Sequence, residues 1–137
     1  MLVSSNRRTR PRARTAAAAA ELAICLPLIV FLLLASLEAC SMIFLDHSLT
    51  IASYEGVRVA INYDSNNTDV VARCNQIITD RGVEDATVSI NPADVSAIDR
   101  GNRITITVAA PCNPNALLPL WFYEGRTLSC STTMVKE

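Results

Sequence analysis

A chain of 137 residues, half of them hydrophobic and carrying a formal net charge of −1, has room for one domain of modest size beside any membrane segment. Five of its twelve basic residues precede residue 15, leaving seven bases against thirteen acids in the remainder, a balance that argues against nucleic acid as a partner. With one histidine, no glycine-rich phosphate loop and no nucleophile motif, nothing is arranged for acid-base or covalent catalysis, so neither enzymatic activity nor a cofactor is expected.

Residues 1–15, MLVSSNRRTRPRART, are polar, Arg-rich and interrupted by proline. They read as a disordered basic leader, closing at about residue 16. From Leu22 to Leu37 there is no charge, Glu38 follows, and the chain continues apolar to Leu45. About 20 apolar residues at about 1.5 Å rise cross the hydrocarbon core, so this run predicts a membrane-spanning helix. Arg7, Arg8, Arg10, Arg12 and Arg14 precede it, which predicts a cytoplasmic N-terminus and a chain lying outside from about Asp46. A cleavable secretory signal is the weaker reading, because its apolar core spans about 7 to 15 residues. Leu37-Glu38-Ala39-Cys40 resembles a lipoprotein box ending in a lipidated cysteine, with Glu38 departing from the small or apolar residue usual there.

Two carboxylates punctuate the run. Glu21 at its inner mouth suits a helix start, where the macrodipole favours an acid. Glu38 lies within it, where an unpartnered carboxylate costs on the order of 2.5 to 3.5 kcal/mol near the bilayer centre. Beyond the membrane, Leu45, Leu49, Ala52, Gly56 and Val59 recur every three or four residues, so one helix is predicted over residues 17–61 with a wet outer half. In Glu55-Gly56-Val57-Arg58 the glycine permits a helix or a sheet to approach closely. A Glu55 to Arg58 pair at i, i+3 contributes only about 0.2 to 0.5 kcal/mol, too little to be the element's main purpose.

Residues 62–137 are expected to form the extracytoplasmic domain. Residues 61–69 are a loop by composition, with Asn66-Asn67-Thr68 read as a turn and helix cap. Val70, Val71, Cys74, Ile77 and Ile78 give a short helix an apolar face that ends at Gly82. Residues 86–90, 103–110 and 127–135 alternate as strands, the second with Ile104, Ile106 and Val108 on one side and Thr105 and Thr107 on the other. Residues 116–123 form an apolar, proline-interrupted excursion whose Trp121, Phe122 and Tyr123 either plug the core or meet a neighbouring subunit or the bilayer. Cys74, Cys112 and Cys130 all fall on inward faces, so one disulfide and one spare thiol are expected. Cys112 with Cys130 is the favoured pair and Cys74 the alternative partner. A metal site is not expected, since there is no CxxC and His47 is far from the cysteines in sequence.

The ordered set Glu21, Pro27, Glu38 and Glu55-Gly56-Val57-Arg58-Val59-Ala60 resembles, without gaps, the N-terminal signature of the TadE-like minor pseudopilins, and TLSCSTTMVKE resembles that family's closing strand. The resemblance implies an α+β, pilin-like fold: a long N-terminal transmembrane helix, a short helix and a three-stranded antiparallel sheet. It implies a non-enzymatic part in assembling a tight-adherence (Flp) pilus in a bacterial inner membrane. Cleavage by a prepilin peptidase between Ala16 and Ala17 would make Glu21 the fifth residue of the mature chain, although alanines stand where the family's leader often has glycine. Glu21 and Glu38 would serve charge pairing in assembly, and Pro27, Glu55, Gly56 and Arg58 helix packing. The implied partners are other pilin or pseudopilin subunits, the inner-membrane assembly platform and the lipid bilayer. The competing reading is a single-pass anchored binding module or lipoprotein of the bacterial envelope.

Overall fold

The structure, a computed structural model, describes residues 10–118 and 123–136. Arg7, Arg8, Trp121, Phe122 and the terminal Glu137 lie outside the described residues. The first element, α1, runs as one helix over Arg10–Ala60. It already covers part of the basic leader, in keeping with Arg and Ala as strong helix formers. Pro27 lies inside the helix without ending it. The chain divides into two compact units, Met1–Ser36 and Leu37–Glu137.

In the first unit the helix is clothed in exposed apolar side chains: Leu22, Ile24, Leu26, Leu28 and Leu32 are all more than half exposed. A helix whose apolar side chains are exposed on every side is matched to lipid rather than to water. Among the described residues, α1 is the helix long and apolar enough to cross a membrane.

The second unit is built on the part of α1 from Leu37 onward. Its buried stripe, Met42, Leu45, Leu49, Ala52, Val57 and Ala60, includes the predicted Leu45, Leu49 and Ala52, with Gly56 also buried, whereas the predicted Val59 is only partly buried. After a short turn, α2 spans Asn67–Asp80. Asn66 caps it as expected, its side chain accepting from the Asp69 N–H at 2.9 Å. The helix ends where Gly82 takes φ +64, with Gly82 N–H bonding Thr79 O and Val83 N–H bonding Ile78 O, a closure that the left-handed glycine makes possible. Val70, Cys74, Ile77 and Ile78 are buried.

Three strands follow: β1 (Thr87–Asn91), β2 (Arg103–Pro111) and β3 (Thr127–Val135). They form an antiparallel sheet in the order β1-β2-β3, with Ser89 opposite Thr107 and Thr107 opposite Ser131. Period-two alternation divides the sheet into two faces. Ile104, Ile106, Val108 and Ala110 are buried in one core with the α1 stripe, and each large apolar side chain buried there contributes about 1.5 to 3 kcal/mol. The opposite face carries hydroxyls that pair across strands, Thr105 with Thr133 at 2.8 Å and Thr107 with Ser131 at 2.7 Å. A single turn of helix, α3 (Cys112–Asn115), interrupts the passage from β2 to β3.

Candidate assembly site on the long helix

Ala16, Ala17 and Glu21 lie in α1 of the first unit, and all three are exposed. Glu38 belongs to the second unit and is different in kind: it is only 1% exposed. Its Oε2 accepts from the Leu118 backbone N–H at 3.1 Å. Its Oε1 is buried and has no hydrogen-bond partner among the described residues. A buried carboxylate with one oxygen satisfied sits in a costly environment, and the Leu118 bond ties the excursion after α3 to the helix.

Around residue 56 the expected close approach is present. A Cβ built on Gly56 would collide with Cys74 Sγ and press on Ile106. The Cys74 thiol donates to the Ala52 carbonyl at 3.4 Å. Glu55 has two basic neighbours: Arg58 at 3.6 Å on the same helix and Arg73 of α2 at 3.0 Å. Arg73 also reaches Gln76 Oε1 at 3.1 Å. The local i, i+3 pair is therefore the looser one, and Glu55 chiefly clips α2 to α1 beside the glycine contact.

The disulfide expected between Cys112 and Cys130 is not formed, and Cys74, Cys112 and Cys130 are all free thiols. The sheet register explains why. Val108 is opposite Cys130 and the Cys112 N–H bonds the Arg126 carbonyl, so the two cysteines are offset by four residues, about 13 Å at strand rise. A bridge needs Cα atoms about 4.4 to 6.8 Å apart. Cys130 instead contacts Thr50 Oγ1 at 3.3 Å and Asp46 Oδ1 at 3.4 Å. Burial pushes the Cys74 thiol up to about 11 and raises Cys112 and Cys130 as well. None of the three is poised as a nucleophile, since the thiolate is the reactive form. Among the described residues no group of three or more His, Cys, Asp or Glu could hold a metal ion.

Sequence reasoning missed Lys136. It is 5% exposed, and its Nζ donates to the Val95 carbonyl at 2.7 Å. Its backbone closes the end of the sheet, N–H to Asn102 O and carbonyl from Gly101 N–H. Nearby, Asp94 accepts from the Ser96 hydroxyl and amide; these bonds, with a smaller pull from Lys136, hold its carboxyl below the usual range. A single lysine gives no sign in sequence of a carbonyl 41 residues away.

A long helix with a bare apolar N-terminal part, and a small helix-and-sheet domain built on its continuation, together define a helix-anchored α+β protein compatible with single-pass membrane attachment. The family model described as TadE-like protein matches residues 16–58, the stretch holding Glu21, Pro27, Glu38 and the Glu55 to Arg58 element, and it is the family that the ordered residues resemble. The match points to the tight-adherence (Flp) pilus and implies partners of the pilin type. No curated protein and no solved structure matches the chain.

Proposed function

We propose that this protein is a non-enzymatic minor pseudopilin that takes part in initiating, priming or tipping a tight-adherence (Flp) pilus. The observation carrying the proposal is the family match over residues 16–58, which falls on the anchor helix and its charged punctuation rather than on the sheet. In this reading α1 crosses the bacterial inner membrane with its N-terminus cytoplasmic, as the leader arginines favour. A prepilin peptidase cuts between Ala16 and Ala17, creating an α-amino group four residues before Glu21. At the inner bilayer edge an unpaired ion is expensive, so Glu21 and the amine of an adjacent subunit neutralise one another, and this pairing draws subunits into register. Glu55, through Arg73, and Gly56, through its close contact with Cys74, keep the domain closed on the same helix.

The test pairs two measurements on protein from its native membrane. N-terminal sequencing is expected to begin at Ala17, and Glu21→Ala is expected to insert normally while losing piliation. An uncut Met1 or a lipidated Cys40, together with normal piliation by the variant, would overturn the reading in favour of an anchored binding module or lipoprotein.

A further inference from the structure

The excursion after α3 meets α1 inside the apolar run. Leu118 donates its backbone N–H to Glu38 Oε2 at 3.1 Å, and Glu38 stands within a stretch that is apolar from Leu22 to Leu45. A hydrocarbon core about 30 Å thick takes up about 20 helical residues counted from Leu22. Residue 38 falls in the last turn of that span, so Leu118 is held at the edge of the bilayer on the domain's own side.

The surroundings suit that depth. Leu37, Ile43 and Phe44 of α1 are 48%, 57% and 53% exposed, and Leu117 is 66% exposed. A cleft of about 280 Å³ lies among Phe44, Leu45, Val83, Pro114 and Leu117, with Arg81 also lining it. Its lining is mostly apolar, with Ser41 and Asn115 among it and Arg81 at its side, a combination that suits a phospholipid, with an acyl chain against Phe44 and Leu117 and the phosphate at Arg81. The base of the excursion is held firmly. Asn115 bonds Pro111 O, Glu84 O and the Glu84 N–H, Asn113 Oδ1 accepts from Gly125 N–H, and the Cys112 N–H bonds Arg126 O at 2.8 Å.

An exposed apolar patch suits either a protein partner or a membrane; position within the apolar run selects lipid. Irregular backbone at this depth needs every N–H satisfied from within the protein, and Glu38 provides an acceptor where water is scarce. We infer that Leu117, Leu118, Leu37, Ile43 and Phe44 form a lipid-docking surface seated in the leaflet on the domain's side, with Arg81 meeting a headgroup phosphate and Glu38 holding Leu118 at that depth. The inference rests on α1 spanning the bilayer, the membrane part of the function proposed above.

The test uses the full chain reconstituted into vesicles of phosphatidylcholine and phosphatidylglycerol. The sole tryptophan, Trp121, is replaced by Phe and a reporter is introduced as Leu117→Trp; Ile43→Trp in the same background is a second reporter on the helix itself. Both are expected to lose most of their emission in vesicles of brominated phosphatidylcholine and little to aqueous iodide, independently of the protein-to-lipid ratio. Adding Glu38→Ala is expected to shift the reporter at 117 toward iodide and away from bromine. Quenching by iodide alone, or protection from both quenchers that grows with protein density, would overturn the inference, the latter in favour of a second copy on this surface. An unchanged profile with Glu38→Ala would overturn the positioning role. Extraction by alkaline carbonate separates the two readings: release from the vesicles sinks the anchor, whereas retention with an aqueous reporter sinks only the docking surface.

Discussion

The Cys74 thiol of α2 lies over the bare backbone of Gly56 in α1, so close that a side chain at 56 would occupy the place of the sulfur. Helix propensity alone would favour alanine at this position by about 1 kcal/mol. Overpacking a closed contact costs about 1 to 3 kcal/mol, so Gly56→Ala is expected to destabilise the domain despite the better helix former. Cys74→Ala in the same chain should recover part of the loss. Denaturant unfolding of the two single variants and the double variant measures the coupling, and additive effects would contradict the contact.

Alkaline pH should weaken the fold through the same thiol. Burial raises Cys74 from the ordinary 9.0 to about 11, so the folded state retains a proton that the unfolded state gives up. The stability this contributes is fully present below pH 9.0 and is lost as pH rises through about 11. Comparing wild type with Cys74→Ala across that window cancels other alkaline titrations, and the variant is expected to show the shallower decline. Alkylation after unfolding under non-reducing conditions is expected to modify all three cysteines of the domain, since none is bridged.

The two salt bridges of Glu55 should separate in a mutant cycle. Arg73 is at 3.0 Å and joins two helices, whereas Arg58 is at 3.6 Å with a side chain 68% exposed. Coupling of Glu55 with Arg73 is expected toward the upper end of about 0.2 to 1 kcal/mol and to shrink in high salt, with Arg58 near the lower end. Equal couplings would show that the interhelical clip has no privileged part.

Lys136→Met keeps an apolar stem of similar length and removes the ammonium that bonds Val95 O. Leaving that acceptor unmet is expected to cost about 1 to 3 kcal/mol. The loss should appear first as faster amide exchange at Gly101 and Lys136, whose backbones pair there. Unchanged exchange at both positions would count against the lysine as the clamp of this end of the sheet.

Much of this architecture was legible in the residues because one face of each element is buried. The alternation of Ile104, Ile106 and Val108 marked the inner face of β2, the spacing of Leu45, Leu49, Ala52 and Gly56 marked the wet half of α1, and Asn66 and Gly82 marked the ends of α2. Alternation reports which face a residue occupies and not how far along the strand it lies, and for that reason Cys112 and Cys130 looked like partners. Glu55 suggested Arg58 because helical spacing shows only local neighbours; Arg73 depends on how two helices pack. The bond from Leu118 to Glu38 spans 80 residues and has no local signature at either end.

The burial of Leu45, Leu49, Ala52, Val57 and Ala60 makes part of α1 a wall of the domain. A soluble fragment starting at residue 62 would contain the described strands and α2 but lack the α1 face that completes their core, and it is expected to aggregate rather than fold. During synthesis the order is reversed: the wall is made first, and the sheet is complete only when β3, the last of the described strands, emerges. Protein trapped before that point would present an apolar helix face with no sheet to cover it, a natural target for chaperones and proteases at the membrane.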